Sequence, residues 1–231
     1  MATGNHFIDS LAADDASALA PLLKPVRLEA GQVLIEQDGA VDTVHFPIEA
    51  LLANVVRLDE GASVETAIVG REGVSGLAPV MSSTPCSWEV VTRRAGSALS
   101  LPAVALQRRL GQSEPFRERL LILTSHYQSQ AAQTAACNSV HRVSQRLARW
   151  LLTAAELSGD ERVDLTQEEL SALLGAQRTT VTEAAQGLKA AGALAYSRGV
   201  VTISDREGLE RAACGCFASE RDRMRRLKLT V

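Results

Sequence analysis

The feature that most constrains this chain is a change of hydrophobic period near Pro115. From about Val26 to Leu101 the apolar residues come in short β-like runs: Val33-Leu34-Ile35, Thr43-Val44-His45-Phe46, Leu52 to Leu58, Val64 to Val69, Val90-Val91-Thr92 and Ala98 to Leu101. Gly, Asp and Pro punctuate them at Ala30-Gly31, Asp38-Gly39, Asp59-Glu60-Gly61, Gly70 to Gly76 and Ala95-Gly96, which is how turns separate strands. Evenly spaced strands of this kind predict a β-roll or jelly-roll barrel, and residues 8 to 23 read as a helix in front of it. After Pro115 the spacing becomes three and four. Phe116, Leu120, Leu123 and Tyr127 begin a stripe that continues through Ala131, Thr134 and Cys137. This predicts a long helix whose stripe serves either as a coiled-coil seam with a second chain or as a face laid on its own β-domain. A further helix carries Val140, Val143, Leu147, Leu151 and Ala154 on one face and ends at Ser158-Gly159-Asp160. The expected class is α+β.

Composition supports folded domains and excludes several functions. Of the 231 residues 46% are apolar and 22% charged, which is a globular rather than a disordered balance. No apolar run approaches the ~18 residues of a bilayer span, and the first fifteen residues are acidic, so neither a membrane span nor an export segment is expected. Cys86, Cys137, Cys214 and Cys216 are too scattered for a disulfide scaffold, and a reducing cytoplasm is the expected compartment. With 3% aromatics the chain has little material for stacking on single-stranded bases. Charge is distributed unevenly: residues 1–113 hold 8 Lys and Arg against 13 Asp and Glu, a balance of −5, and residues 114–231 hold 16 against 14, a balance of +2. Only Lys24, Lys189 and Lys228 are lysines, so the second half is rich in arginine, the side chain suited to bidentate phosphate and guanine contacts.

The most specific stretch is Leu165 to Leu188. Thr166 followed by Glu169 forms a capping box ahead of Leu170, Leu173 and Leu174. Gly175 permits a sharp turn, and a second helix follows with Val181, Ala184, Ala185 and Leu188 inward. Gln177, Arg178, Thr179, Thr182, Glu183 and Gln186 are left outward. Two short helices about a glycine turn predict a helix-turn-helix, whose second helix enters the major groove of double-stranded DNA. The outward residues are of the types that read base edges, since Arg pairs with guanine, Gln with adenine, Glu with cytosine N4, and a Thr methyl touches thymine. Two strands about Arg198-Gly199 predict a wing that rests Arg198 on the phosphate backbone.

Together these pieces resemble the cyclic-AMP receptor protein / fumarate-nitrate reduction regulator (Crp/Fnr) superfamily over roughly residues 20–204. The likeness rests on Leu165 to Leu188, the Val140 to Leu152 helix, Leu28-Glu29-Ala30-Gly31-Gln32-Val33-Leu34 and Gly70-Arg71-Glu72-Gly73. It implies a cyclic-nucleotide-binding-like sensor roll over residues 1–113, a dimerisation helix over 114–138 and a winged helix-turn-helix over 139–231. It also implies a bacterial homodimer that reads an inverted repeat and works with RNA polymerase. Arg178 falls on the family's guanine-reading arginine, whereas Thr179 and Glu183 depart from the best-known members, so a different operator is expected. The dimer contact is expected at Phe116, Leu120, Leu123 and Tyr127.

The resemblance weakens at the effector. Gly70, Arg71, Glu72 and Gly73 resemble the family's phosphate-binding turn, but Ser82 to Trp88 contains no arginine where an Arg-Ser pair is required. Cyclic AMP is therefore not expected, and an effector, if present, is of another kind. No cysteine precedes Cys86, so an iron-sulfur cofactor is not expected. His45 stands alone as an axial-ligand candidate for haem and reads as structural. Cys214 and Cys216, one residue apart on a helical stretch, do not face each other and read as small buried residues, so no metal or cofactor is expected. Two further classes are open: a cyclic-nucleotide-like module that regulates a protein partner, and a cupin-type metalloenzyme, for which His45 has no second histidine nearby.

Overall fold

The computed structural model describes residues 2–165, 167–197 and 199–229. Its elements follow the expected α+β order. Helices α1 (His6–Asp9) and α2 (Ala13–Leu19) lead through a 3-10 turn at Ala20–Leu22 into strands β1 (Lys24–Leu28), β2 (Val33–Ile35), β3 (Thr43–Pro47), β4 (Leu51–Arg57) and β5 (Ser63–Val69). After α3 (Leu77–Ser82) come β6 (Glu89–Arg94) and β7 (Gly96–Pro102), then α4 (Ala103–Gln112), α5 (Glu114–Val140) and α6 (Val143–Ser158). The remainder is β8 (Arg162–Asp164), α7 (Gln167–Leu174), α8 (Arg178–Ala190), β9 (Leu194–Ser197), β10 (Val200–Ile203), α9 (Arg206–Ala212) and α10 (Cys216–Arg226).

The roll consists of two antiparallel sheets, ordered β1-β7-β3 and β2-β6-β4-β5. Its opening helix is shorter than the sequence suggests. Asn5 accepts from the Ile8 amide to start α1, and Asp9 turns back to accept from the Thr3 and Gly4 amides, so the chain bends before α2. The bend seats Phe7 in the core, 6.2 Å from Phe46 and 6.3 Å from Phe116 between ring centroids.

The long helix α5 starts where Ser113 accepts from the Phe116 amide. Its predicted stripe lies on the roll of the same chain: Phe116, Leu120 and Leu123 are fully buried. Tyr127 accepts from the Val74 amide at 3.0 Å and donates to its carbonyl at 3.3 Å, and Gln130 accepts from the Ile68 amide at 3.0 Å. The expectation that Phe116, Leu120, Leu123 and Tyr127 face a second chain is therefore corrected. Period alone cannot say which apolar surface a stripe covers, and here the roll takes it, burying each large side chain for roughly 1.5–3 kcal/mol.

Helix α6 begins after a break at His141 and Arg142, both extended, where the Arg142 amide donates to Gln145. Val140, expected on the α6 face, instead ends α5 and is exposed. From Arg146 to Ser158 nearly every residue of α6 is buried, because the helix is surrounded by the roll, α8, α9 and α10. It is the shared core between the two halves. Trp150 on α6 donates to the buried Glu65 of β5 at 2.6 Å, and Arg93 of β6 pairs with the same carboxylate at 3.0 Å. Burial raises the Glu65 pKa, opposed by the Arg93 charge and the indole hydrogen bond. Arg94 pairs with Asp160 at 2.6 Å.

Candidate nucleic-acid interface

In the helix-turn-helix, Leu170, Leu173 and Leu174 of α7 and Val181, Ala185 and Leu188 of α8 bury into the core beside α6. Gly175 adopts φ +54, a left-handed conformation that costs glycine little. Arg146 of α6 donates to the Leu174 carbonyl at 2.8 Å, satisfying the end of α7. These contacts fix the axis of α8 and leave its other face to solvent.

On that face Gln177, Arg178, Thr179, Glu183 and Gln186 are exposed. Arg178 has no ion-pair partner among the described residues. Thr182 is half-buried and donates its hydroxyl to the Arg178 carbonyl at 2.8 Å, which leaves its methyl as the more available contact. Gln177 precedes the helix without a side-chain cap, so the first amides of α8 point outward as donors for an anion. Ala184, expected inward, is only half-buried.

Strands β9 and β10 pair antiparallel with Val200 opposite Ser197, across a turn in which Gly199 has φ +86. Strand β8, which the sequence pattern does not announce, pairs with the other edge of β10; three residues are too short to carry a period. Thr166 of the capping box and Arg198 of the wing lie outside the described residues.

The sensor half has a different chemistry from the one its turn suggests. A cavity of about 460 Å³ lies between the roll and α5, lined by Asn54, Thr66, Trp88, Thr124, Tyr127 and Gln128 among others, with no arginine among the described residues that line it. None of Gly70, Arg71, Glu72 or Gly73 lines it. Arg71 instead donates to the Leu157 and Ser158 carbonyls, where a cation suits the C-terminal end of α6. Glu72 is buried and accepts from the Gly70 amide. Desolvation pushes its pKa up from 4.5 to about 7, against the pull of that hydrogen bond and of Arg71. Gly70 is packed against Leu157, and a side-chain carbon at Gly73 would collide with the Tyr127 hydroxyl. The candidate phosphate turn is thus a clasp between the roll, α5 and α6. Sequence pattern gives its shape and cannot show that its arginine is already engaged.

The cavity residues escape a sequence reading because none forms a motif. Two carry unused hydrogen-bonding atoms: Asn54 Oδ1 and Trp88 Nε1 are buried without a partner among the described residues. His45 lies on β3, where burial lowers its pKa, and it belongs to no cluster of metal-capable side chains among the described residues. Nor is any helix there long and apolar enough to cross a membrane.

A roll joined by a long helix to a winged helix-turn-helix defines a DNA-binding transcriptional regulator, and comparison with known proteins agrees. The cyclic nucleotide-binding domain model matches residues 25–113, and the Crp-like helix-turn-helix domain model matches residues 145–212. The chain belongs to the Crp/Fnr superfamily. It is 26% identical over 204 residues to the CRP-like cAMP-activated global transcriptional regulator of Mycobacterium tuberculosis, a match covering 85% of this chain and 91% of the relative. In fold it is similar to FixK2 from Bradyrhizobium japonicum, with a TM-score of 0.71 at 16% identity over 84% of this chain and 98% of that one. It is also similar to the c-di-GMP responsive global regulator CLP of Xanthomonas campestris, with a TM-score of 0.67 at 14% identity over 84% and 100%.

Proposed function

We propose that this regulator acts in the cytoplasm as a homodimer on an inverted-repeat operator, gated by a small molecule in the α5 cavity, and that it works with RNA polymerase. The observation that carries the reading is the exposed Arg178, without an ion-pair partner among the described residues, at the start of a helix whose axis is held by its own core. Two such helices related by a two-fold axis fit successive major grooves about 34–36 Å apart.

With the Phe116 stripe spent on the roll, the dimer surface falls to the opposite face of α5. There Leu121, Ser125, Gln128, Ala132, Ala135 and Ser139 are exposed at alternating steps of four and three, the spacing of a seam between two helices. Leu121 is the large apolar member, 53% exposed. Gln128 belongs both to this face and to the cavity lining. A ligand that binds the two dimer arrangements unequally would therefore shift the balance between them.

The cavity favours a largely apolar ligand offering a donor to Asn54 Oδ1 and an acceptor to Trp88 Nε1. The named relatives respond to cyclic AMP and to c-di-GMP; here no arginine lines the cavity to hold a phosphate.

Operator selection followed by quantitative binding tests the reading. Arg178→Ala is expected to cost about 1–3 kcal/mol and relax preference at one base pair, while Arg198→Ala weakens all sequences alike and reduces the salt slope by about one. Equal losses on specific and random DNA for both variants would overturn the assignment. Calorimetry with cyclic AMP and cyclic GMP is expected to show nothing tighter than about 10 μM, or roughly 7 kcal/mol. Tighter binding that also strengthens operator affinity would overturn the effector reading.

A further inference from the structure

Four metal-capable side chains meet where α5 gives way to α6. Cys137 lies in the last turn of α5, and His141 caps that helix, its amide donating to the Cys137 carbonyl at 3.0 Å. Residues four apart share a helix face, so thiol and imidazole point the same way. Cys214 and Cys216 approach from the other side. Contrary to the sequence expectation, they do not sit on one helical stretch. Helix α9 stops at Ala212, Ala213 is extended at φ −70 and ψ 158, and Gly215 leads into α10. The non-helical junction turns both thiols toward Cys137. The three sulfurs and an imidazole nitrogen all lie within 4.8 Å of one another, with Cys137 and Cys214 buried and the other two half-buried.

We propose that Cys137, His141, Cys214 and Cys216 form a tetrahedral site for one zinc-class divalent ion. Three thiolates and an imidazole are a zinc donor set, and bonds of about 2.3 Å to sulfur and 2.0–2.1 Å to nitrogen place tetrahedral ligand atoms about 3.5–3.8 Å apart. A small contraction of the cluster reaches that spacing. Each thiol releases its proton to solvent as it becomes a ligand, and the imidazole binds in its neutral form.

The surroundings are those of a ligand shell. The Gln133 amide lies 3.4 Å from Cys137 Sγ and 3.2 Å from Cys216 Sγ, donating to both, as polar groups around metal-bound thiolates do. His141 Nδ1 is buried without a partner among the described residues. A disulfide between two of the cysteines would leave the third thiol and the imidazole idle, whereas a cation uses all four. The ion would pin the α9–α10 junction to the end of α5 at the break before α6.

The test uses full-length protein purified with zinc in the medium and dialysed against metal-free buffer. Elemental analysis is expected to find about one zinc per chain. Exchange with cobalt(II) is expected to give thiolate charge-transfer absorption and the intense visible bands of a tetrahedral centre. Cys216→Ser and His141→Ala should lose the bound metal, and Cys86→Ser, altered in the roll, should keep it. Gln133→Ala leaves all four ligands in place and should weaken zinc affinity about 10–100-fold; it guards against ligand variants that simply fail to fold. Absence of zinc, a weak octahedral cobalt spectrum, unchanged metal content in folded Cys216→Ser, or a mass two hydrogens short from a disulfide among these cysteines would each overturn the site.

Discussion

Replacing Glu72 by Gln should make stability less sensitive to alkaline pH. Glu72 is 1% exposed, and its carboxyl titrates at about 7 rather than 4.5. The folded chain therefore keeps a proton that the unfolded chain has already lost. The stability this gives is complete below about 4.5 and is lost as pH rises through about 7. At roughly 1.4 kcal/mol per tenfold change in proton affinity, the wild type forfeits about 3 kcal/mol across that window. Glutamine keeps an oxygen to accept from the Gly70 amide and cannot ionise. Urea unfolding at a series of pH values, with the midpoint and slope both followed, should show the variant gaining most of that ~3 kcal/mol over wild type between about pH 5 and pH 8.5. The difference between the two proteins carries the test, because His126 opposes Glu72 in the same window. Burial, with the Arg223 charge, pushes His126 down to about 4, so its contribution is present above about 6.5 and is lost as pH falls through about 4. A variant-minus-wild-type difference that stays flat over the range would refute the buried-carboxyl argument.

Three further perturbations test other parts of the structure. Arg93→Ala removes the cation from the Glu65 carboxylate and should cost about 3–5 kcal/mol in urea unfolding, as breaking one side of a buried pair does; adding Glu65→Gln should recover much of it. Gly73→Ala should destabilise by about 1–3 kcal/mol through overpacking against Tyr127, and Tyr127→Phe, which removes the struck hydroxyl, should restore part of the loss in a double-mutant cycle. Leu123→Asp should abolish the cooperative thermal transition, whereas Leu121→Asp should leave it intact and yield monomers in sedimentation; a folded Leu123→Asp monomer would restore the original seam.

Much of the architecture is legible in the sequence because it rests on local rules. Strand β2 coincides with Val33-Leu34-Ile35, α6 ends at the predicted Ser158-Gly159 stop, and the helix pair about Gly175 stands where its glycine and apolar spacing put it. What is not legible depends on partners distant in sequence. The stripe from Phe116 fits a roll and a second helix equally well, and only Phe7, Phe46 and the amides of Ile68 and Val74 decide between them. Arg71 reads as a phosphate ligand because a motif records neighbours along the chain and not the α6 carbonyls 86 and 87 residues away. Short elements such as α3 and β8 lack enough residues to establish a period. Helix α4, by contrast, has a clear apolar face, but it lies between two stronger signals, the last strand of the roll and the long stripe of α5.

The bonds from Glu65 to Trp150, from Arg71 to the end of α6 and from Arg94 to Asp160 bear on how such a regulator can be recombined. A roll grafted onto a foreign reader would bring a buried carboxylate with no indole to meet it and an arginine with no carbonyls to cap. The reader taken alone would expose the α6 flank that the roll now covers. Exchange of parts at the linker near residue 140 would thus create two orphaned surfaces. A working chimaera of this protein has to cut through the roll itself, carrying β5, β6 and the Gly70 to Gly73 clasp along with α6.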